Sequence, residues 1–441
     1  MLSKQDNELM CRTGPGTPMG DAMRRFWIPV MQLTDLPSAG GDPKVVELLG
    51  ERFIAWRDES GRSGLYAEAC LHRGASLQIA RAEGDGLRCI YHGWKFAVDG
   101  TVLETPNIAD PKFKSRIKGR TYPVREAGGL LWAYLGRKEL MPAFPEWEFM
   151  KQPDAHRINA YAVVNCNFVQ VIEGLVDSSH LTVLHSSILA KTNDADFDFA
   201  KKTTHMQFDA TPVIEADETD FGFHYVAMRK MGDKRMARIA SFIAPCYIAN
   251  ANGDIFLAIV PVNDHRCNFF HVWWDQNKCI GEDPLRSQQL AFVGLDDATL
   301  IQYGMTPGTC DSDAAMSWRN GYRQDRAQQR NGHFTGLYTF TQEDAACSMS
   351  SGGIRDRSQE MLSSADVAIT QLYRSLIGCA KAARDGGAIP ALSADVGRVV
   401  GTSAEIGLDD NWRELVPHHR IVSGRHAHPE ASHPDQEKSP C

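Results

Sequence analysis

The sequence predicts an α+β protein, with an all-β N-terminal domain ahead of a larger domain of antiparallel sheet and helix. Three patterns lead to this. From Arg24 to about Gly136, runs such as KVVELLG, RFIAWRD, KFAVDGTVLE and GLLWAYLG are short, apolar-alternating and separated by Gly, Asp and Asn turns, and Asp99-Gly100 is a hairpin signal. Further on, HRINAYAVV, TPVIEADETDFGFHYVAMRK, ARIASFIAPCYIANANGDIFLAIVPVND and NFFHVWWDQ read as longer strands. Past residue 283 the pattern turns helical, and RSQEMLSSADVAITQLYRSLIGCAKAARDGG keeps a 3.6-residue period up to a Gly pair suited to a C-cap. Between the two regions MPAFPEWEFMKQPD, with its three prolines, reads as a linker. The expected divisions are an N-terminal segment 1–25, a β domain 26–137, a second domain 138–417, and a polar, His- and Pro-rich tail 418–441 expected to be disordered.

Composition narrows the class. The 441 residues are 43% hydrophobic and 23% charged, as in a globular protein, and the formal charge of −8 argues against nucleic acid or an anionic membrane as the main partner. No apolar run reaches the length of a membrane span, and the first twenty residues lack a basic stretch followed by an apolar core. A cytoplasmic location is the expectation. Eleven cysteines, scattered and odd in number, then read as mostly free and buried thiols, and the question is which of them hold a metal.

Cys70-Leu71-His72 is followed, after sixteen residues, by Cys89-Ile90-Tyr91-His92. Two loops each offering a thiolate and an imidazole can present four ligands to one centre, either a structural zinc or an iron–sulfur cluster. A glycine follows close on each histidine, in His72-Arg73-Gly74 and His92-Gly93, where it lets backbone amides approach the sulfurs.

A second constellation lies in NFVQVIEGLVDSSHLTVLH, which has helical apolar spacing and contains Asp177, His180 and His185 as D-x2-H-x4-H. Asp177 and His180, three apart, would share one face of a helix. His180 and His185, five apart, diverge by about 140°, so both reach one metal only if the helix widens or ends between them. Two histidines and one carboxylate form the facial set of non-haem Fe(II) oxygenases.

CLHRGASL and CIYHGWKF resemble the ligand loops of Rieske [2Fe–2S] proteins. The resemblance implies that Cys70 and Cys89 hold one iron while His72 and His92 hold the other. Leu71 stands where the family commonly has proline, a departure that touches loop stiffness and no ligand. With D-x2-H-x4-H behind it, the chain resembles the oxygenase (alpha) subunits of Rieske ring-hydroxylating oxygenases, of the phthalate and chlorobenzoate dioxygenase type; TGPGTPMG and NGYRQDRAQQRNG add to the likeness. This implies a Rieske domain at 26–137, a catalytic domain at 138–417, and mononuclear Fe(II) held by His180, His185 and a later carboxylate. Asp344, in TFTQEDAACSMSSGGIRDRSQE, is the nominee, with Glu343 and Asp356 as competitors. Asp177 is implied as the carboxylate bridging His92 of one subunit to His180 of the next, in a trimer or pair of stacked trimers; the plainer reading is a local bond to Ser178 or Ser179. An NAD(P)H-dependent flavin/iron–sulfur reductase is the implied electron donor and O2 the co-substrate. The implied reaction is hydroxylation of an aromatic carboxylate, with O-demethylation of a methoxylated acid as the alternative and a Rieske electron carrier as the different-class rival. Of the basic residues flanking Gly232-Asp233, Arg229 and Arg238 lie nearest the strand bodies and are the candidate carboxylate ligands.

Overall fold

The computed structural model describes residues 2–192 and 197–416. The predicted tail, 418–441, lies outside the described residues. The chain forms two compact units, one of Met23–Phe144 and one that joins Met1–Ala22 to Pro145–Cys441.

The smaller unit is built of three antiparallel sheets. Trp27–Gln32 pairs with Leu130–Tyr134, which pairs with Val124–Ala127. A second sheet runs Lys44–Leu48, Glu51–Arg57, Ser63–Ala67 and Thr121–Tyr122, and a third Arg81–Glu83, Gly86–Arg88, Lys95–Ala97 and Val102–Glu104. The Asp99-Gly100 hairpin forms where its sequence signals it, joining the last two of these strands. Gly100 has φ +87°, and a Cβ there would lie 2.7 Å from the Gly119 carbonyl oxygen, so the turn needs glycine. Ile54, Trp56, Tyr66, Leu87, Trp94 and Phe96 form a core that also takes in Cys70 and Cys89.

The larger unit centres on an eight-stranded antiparallel sheet. Its order is Arg157–Val164, Arg266–Trp274, Ile255–Asn263, Tyr247–Ala249, Lys234–Ile243, Gly222–Met231 and Val213–Glu218, with Thr402–Gly407 paired to Lys234–Ile243. The strands Ile255–Asn263 and Arg266–Trp274 are buried almost throughout. That accounts for continuous apolar runs such as IFLAIVPV, which a half-exposed strand would have interrupted.

Three helices pack on this sheet or on one another: Phe168–Val176, Phe340–Ser350 and Val367–Asp385. The last begins ten residues after the start of the periodic stretch and stops at Gly386, φ +74°, as the Gly pair predicts. Lys4–Cys11 also forms a helix, and it packs against Val367–Asp385. Its Asn7 Oδ1 accepts from Arg357 Nη1 at 3.0 Å. Arg357 is fully buried and its Nε donates to Glu173 on the Phe168–Val176 helix. Removing one partner of such a pair strands a buried charge and costs about 3–5 kcal/mol. Cys11, Cys166, Cys246, Cys267, Cys310 and Cys379 are buried free thiols like Cys70 and Cys89, whereas Cys347 is exposed. Among the described residues no helix is long and apolar enough to cross a membrane.

Candidate active site

The two cysteine loops are near copies. Cys70 N donates to the Ala75 carbonyl at 2.8 Å and Gly74 N to the Cys70 carbonyl at 2.9 Å; in the second loop Cys89 N bonds Trp94 O at 2.9 Å and Gly93 N bonds Cys89 O at 3.0 Å. Each loop closes through a glycine with positive φ, +71° at Gly74 and +75° at Gly93. The ring centroids of His72 and His92 are 4.5 Å apart, and His72 stacks on Trp94 at 4.5 Å.

Cluster or zinc is a matter of spacing. A tetrahedral zinc, with bonds of about 2.0–2.3 Å, draws its four ligand atoms to within roughly 4 Å of each other. Among the described residues the only set of three such groups within 4.8 Å lies elsewhere, so these four do not converge on one ion. They fit a two-iron centre better. Burial raises the Cys70 thiol to about 11, against which the amides of His72 and Arg73 donate to its sulfur, and His72 Nδ1 is buried with no hydrogen-bond partner. Donor amides aimed at sulfur, and a histidine nitrogen left without a protein partner, suit a cluster ligated by both residue types. Leu71, Ile90 and Tyr91 ring the loops as exposed apolar side chains.

The set that does converge is His180, His185 and Asp344. The predicted shared helix face for Asp177 and His180 does not form: the Phe168–Val176 helix ends at Asp177, whose ψ of 107° turns the chain out of it. His180 and His185 instead flank the four-residue turn Leu181–Leu184, which places their ring centroids 5.2 Å apart at 74°. Breaking the helix solves the 140° divergence. Asp344 Oδ1 lies 3.5 Å from His180 Nε2 and 3.2 Å from His185 Nε2.

Glu343 stands behind this set. Fully buried, it accepts from His185 Nδ1 at 2.7 Å and from Thr335 Oγ1 at 2.5 Å, which turns His185 Nε2 toward Asp344. Asp356 is a helix cap bonded to Ser358 on the surface, away from the set. Asp177 makes the local bond, Oδ1 accepting from Ser179 N and Oγ at 2.8 and 2.5 Å, and its Oδ2 faces His180 Nδ1 of the same chain at 3.6 Å. Among the described residues no Lys or Arg pairs with Asp177, Glu343 or Asp344. Three carboxylates around two imidazoles call for a cation. With burial opposing them, Asp177 and Asp344 push His180 up to about 10. The residues therefore fit a divalent metal held by His180 Nε2, His185 Nε2 and Asp344.

A cavity of about 140 Å³ opens beside the set, and an open groove of about 580 Å³ reaches Asp177 and His180 along a rim that includes Val183, Phe334 and Met361. The cavity floor is one face of the sheet. Ile255 sits opposite Trp273, Leu257 opposite His271 and Tyr225 opposite Ala240, all of them lining it. Arg238, directly opposite Ala227, joins them. Arg229 falls on the same sheet face one step nearer the hairpin tip and does not line the cavity. Its Nη2 donates to the Ser178 carbonyl at 2.5 Å and its Nε to the Asp209 carbonyl at 3.2 Å. Of the two candidate carboxylate ligands only Arg238 lines the cavity; Arg229 holds the chain between Asp177 and His180, its Nη1 buried without a hydrogen-bond partner. His271, unremarked in the sequence, lines the cavity stacked on Trp273, and burial drops it to about 3. Its period-2 place between Phe269 and Trp273, which line the same cavity, is the signal that could have found it.

Known proteins bear on this geometry. Residues 26–122 match the Rieske [2Fe–2S] domain and residues 133–436 the LigXa C-terminal domain like family. The chain is 32% identical, over 94% of each protein, to the phthalate 4,5-dioxygenase oxygenase subunit of Pseudomonas putida. It is 34% identical to the 5,5'-dehydrodivanillate O-demethylase oxygenase subunit of a Sphingobium strain, over 60% of this chain and 61% of that one. The crystal structure of dicamba monooxygenase bound to dicamba superposes with a TM-score of 0.53 at 16% identity, covering 82% of this chain and 98% of that one, which shows a common fold.

Proposed function

The chain belongs to the Rieske [2Fe–2S], mononuclear non-haem iron oxygenases, and from that premise we propose that it is a terminal oxygenase hydroxylating an aromatic carboxylate. As an oxidoreductase of that family it uses a [2Fe–2S] cluster, mononuclear iron and O2. The observation that carries the substrate reading is a buried arginine, Arg238, on the wall of the cavity that also exposes His180, His185 and Asp344.

In this reading Cys70 and Cys89 hold one iron of the cluster and His72 and His92 the other, while His180, His185 and Asp344 hold the mononuclear iron. When bound, the cluster supplies single electrons and the iron supplies activation of O2. The protein does the rest. Arg238 fixes the substrate carboxylate, and the apolar wall of Leu257, Phe269 and Trp273 takes the ring and excludes water. Glu343 orients His185. Asp177, held by Ser179 and by the chain that Arg229 pins, orients His180 and offers its other side to a donor. The groove at Asp177, with its exposed apolar rim, suits a second copy of the chain whose own Leu71, Ile90 and Tyr91 surround His72 and His92. In this reading the assembly is a homotrimer or stacked trimers, served by an NAD(P)H-dependent flavin/iron–sulfur reductase. Ring dihydroxylation is the first reading, because the phthalate relative is named a 4,5-dioxygenase. O-demethylation is the second, because the O-demethylase relative is similarly identical over a shorter stretch.

Turnover with reductase, NADH and O2 over benzoate, phthalate, 3-chlorobenzoate and 3-methoxybenzoate, with products weighed by mass spectrometry, tests this. A gain of two hydroxyls marks dihydroxylation, and loss of a methyl as formaldehyde marks demethylation. Turnover of none of the four, by protein carrying about three irons and two acid-labile sulfides per chain, overturns the aromatic-acid reading.

A further inference from the structure

Resting on that reading, we infer that His205, with Asn252, sets the charge specificity of the cavity by holding Arg238 through neutral acceptors, so that the guanidinium keeps its positive charge free to pair with one substrate carboxylate.

The geometry is specific. Arg238 is 4% exposed, and its only hydrogen bonds to protein among the described residues leave from Nη1, to His205 Nε2 at 3.0 Å and to Asn252 Oδ1 at 3.0 Å. Nε and Nη2, the edge of the guanidinium that pairs two-pronged with a carboxylate, donate to no protein group there. No Asp or Glu among the described residues lies within ion-pair distance of it. Asp254, whose charge acts on it through space, is paired with Lys202 instead. A buried arginine normally gains an acidic partner, because an uncompensated charge costs several kcal/mol out of water. Here the partners are an imidazole and an amide.

For His205 to accept from an arginine its Nε2 must carry no proton. Burial and the charges of Arg238 and Arg229 pull it down to about 3, so it is a neutral acceptor at any ordinary pH. His205 sits in the short helical turn Thr204–Gln207, and Asn252 in the turn between Tyr247–Ala249 and Ile255–Asn263. Both elements also line or border the cavity, and the two acceptors grip the same nitrogen from separate parts of the chain. They fix the guanidinium plane without cancelling its charge. An organic acid entering the cavity then supplies the missing counter-ion, whereas a neutral analogue leaves the arginine unpaired.

The test compares four proteins: wild type, His205→Asn, His205→Asp and Arg238→Met. For each, Kd is measured by calorimetry for benzoate, phthalate, 3-chlorobenzoate and 3-methoxybenzoate, and for the matching amides. Iron content and the visible spectrum of the cluster report folding. His205→Asn, a neutral acceptor, should keep acid binding within about threefold. His205→Asp supplies an internal carboxylate and should weaken the acids by tenfold or more while leaving the amides unchanged or tighter. Equal loss of acids and amides in His205→Asp, or acid binding as in wild type, overturns the inference. If Arg238→Met binds acids as tightly as wild type, or wild type binds none of the four, the carboxylate reading of the cavity falls and this inference with it. If Arg238→Met loses the acids but His205→Asp does not, the inference alone falls. Should His205→Asp not fold, Asn252→Asp carries the same prediction and the same two ways of failing.

Discussion

The cluster loops and the iron site solve the same problem, presenting ligands to metal, by opposite means. The cluster loops do it locally. The four proposed ligands lie within 23 positions, and each pair sits in a turn closed by its own backbone hydrogen bonds and by one left-handed glycine. The iron site is assembled at a distance. His180 and His185 depend on a helix ending at Val176, and Asp344 arrives 159 residues later on another helix. A site made of turns tolerates change elsewhere in the chain; one made of three packed segments inherits every shift in their packing.

Four substitutions put that contrast to the test. The largest effect belongs to Asp344→Ala, which should release the mononuclear iron, leave about two irons with two sulfides per chain, and reduce turnover to background. Retention of about three irons and activity would move the ligand to Glu343. Next is Asp177→Asn, which should keep all metals yet nearly abolish turnover under steady supply of reductase and NADH; a rate near that of the parent would end its role as the link. Glu343→Gln should weaken iron binding about 10- to 100-fold, read as faster loss to a chelator, with the cluster spectrum unchanged. Smallest is Gly93→Ala. It puts a Cβ 3.1 Å from Pro106 Cγ at a φ of +75°, and should cost about 1–3 kcal/mol of stability, read as a lower melting temperature, while iron-site occupancy stays full.

The same contrast explains what could be read beforehand. Both cysteine loops, the Asp99-Gly100 hairpin, the long strands and the Gly386 helix stop are local, and turn chemistry or periodicity shows them directly. The convergence of His180 and His185 was legible only as a requirement, that the helix widen or end; the sequence around Asp177 has no proline to say where. Glu343 and Asp344 differ by one position and about 100° on a helix, so which one faces the metal depends on where His185 lies across the packing. Arg229 and Arg238 are alike in composition and share a sheet face. Only the register, Ala227 opposite Arg238 and Met236 opposite Arg229, puts one in the cavity and the other under Ser178.

The path of the N-terminus has a consequence for how such proteins can be recombined. Because residues up to Ala22 fold with the unit that resumes at Pro145, the cluster-bearing unit is an insertion within the other. Chimeras between relatives therefore need two joints, near 22/23 and 144/145. A single crossover would pair one parent's Asn7 and Cys11 with the other's Arg357, the buried arginine that also grips the Phe168–Val176 helix through Glu173.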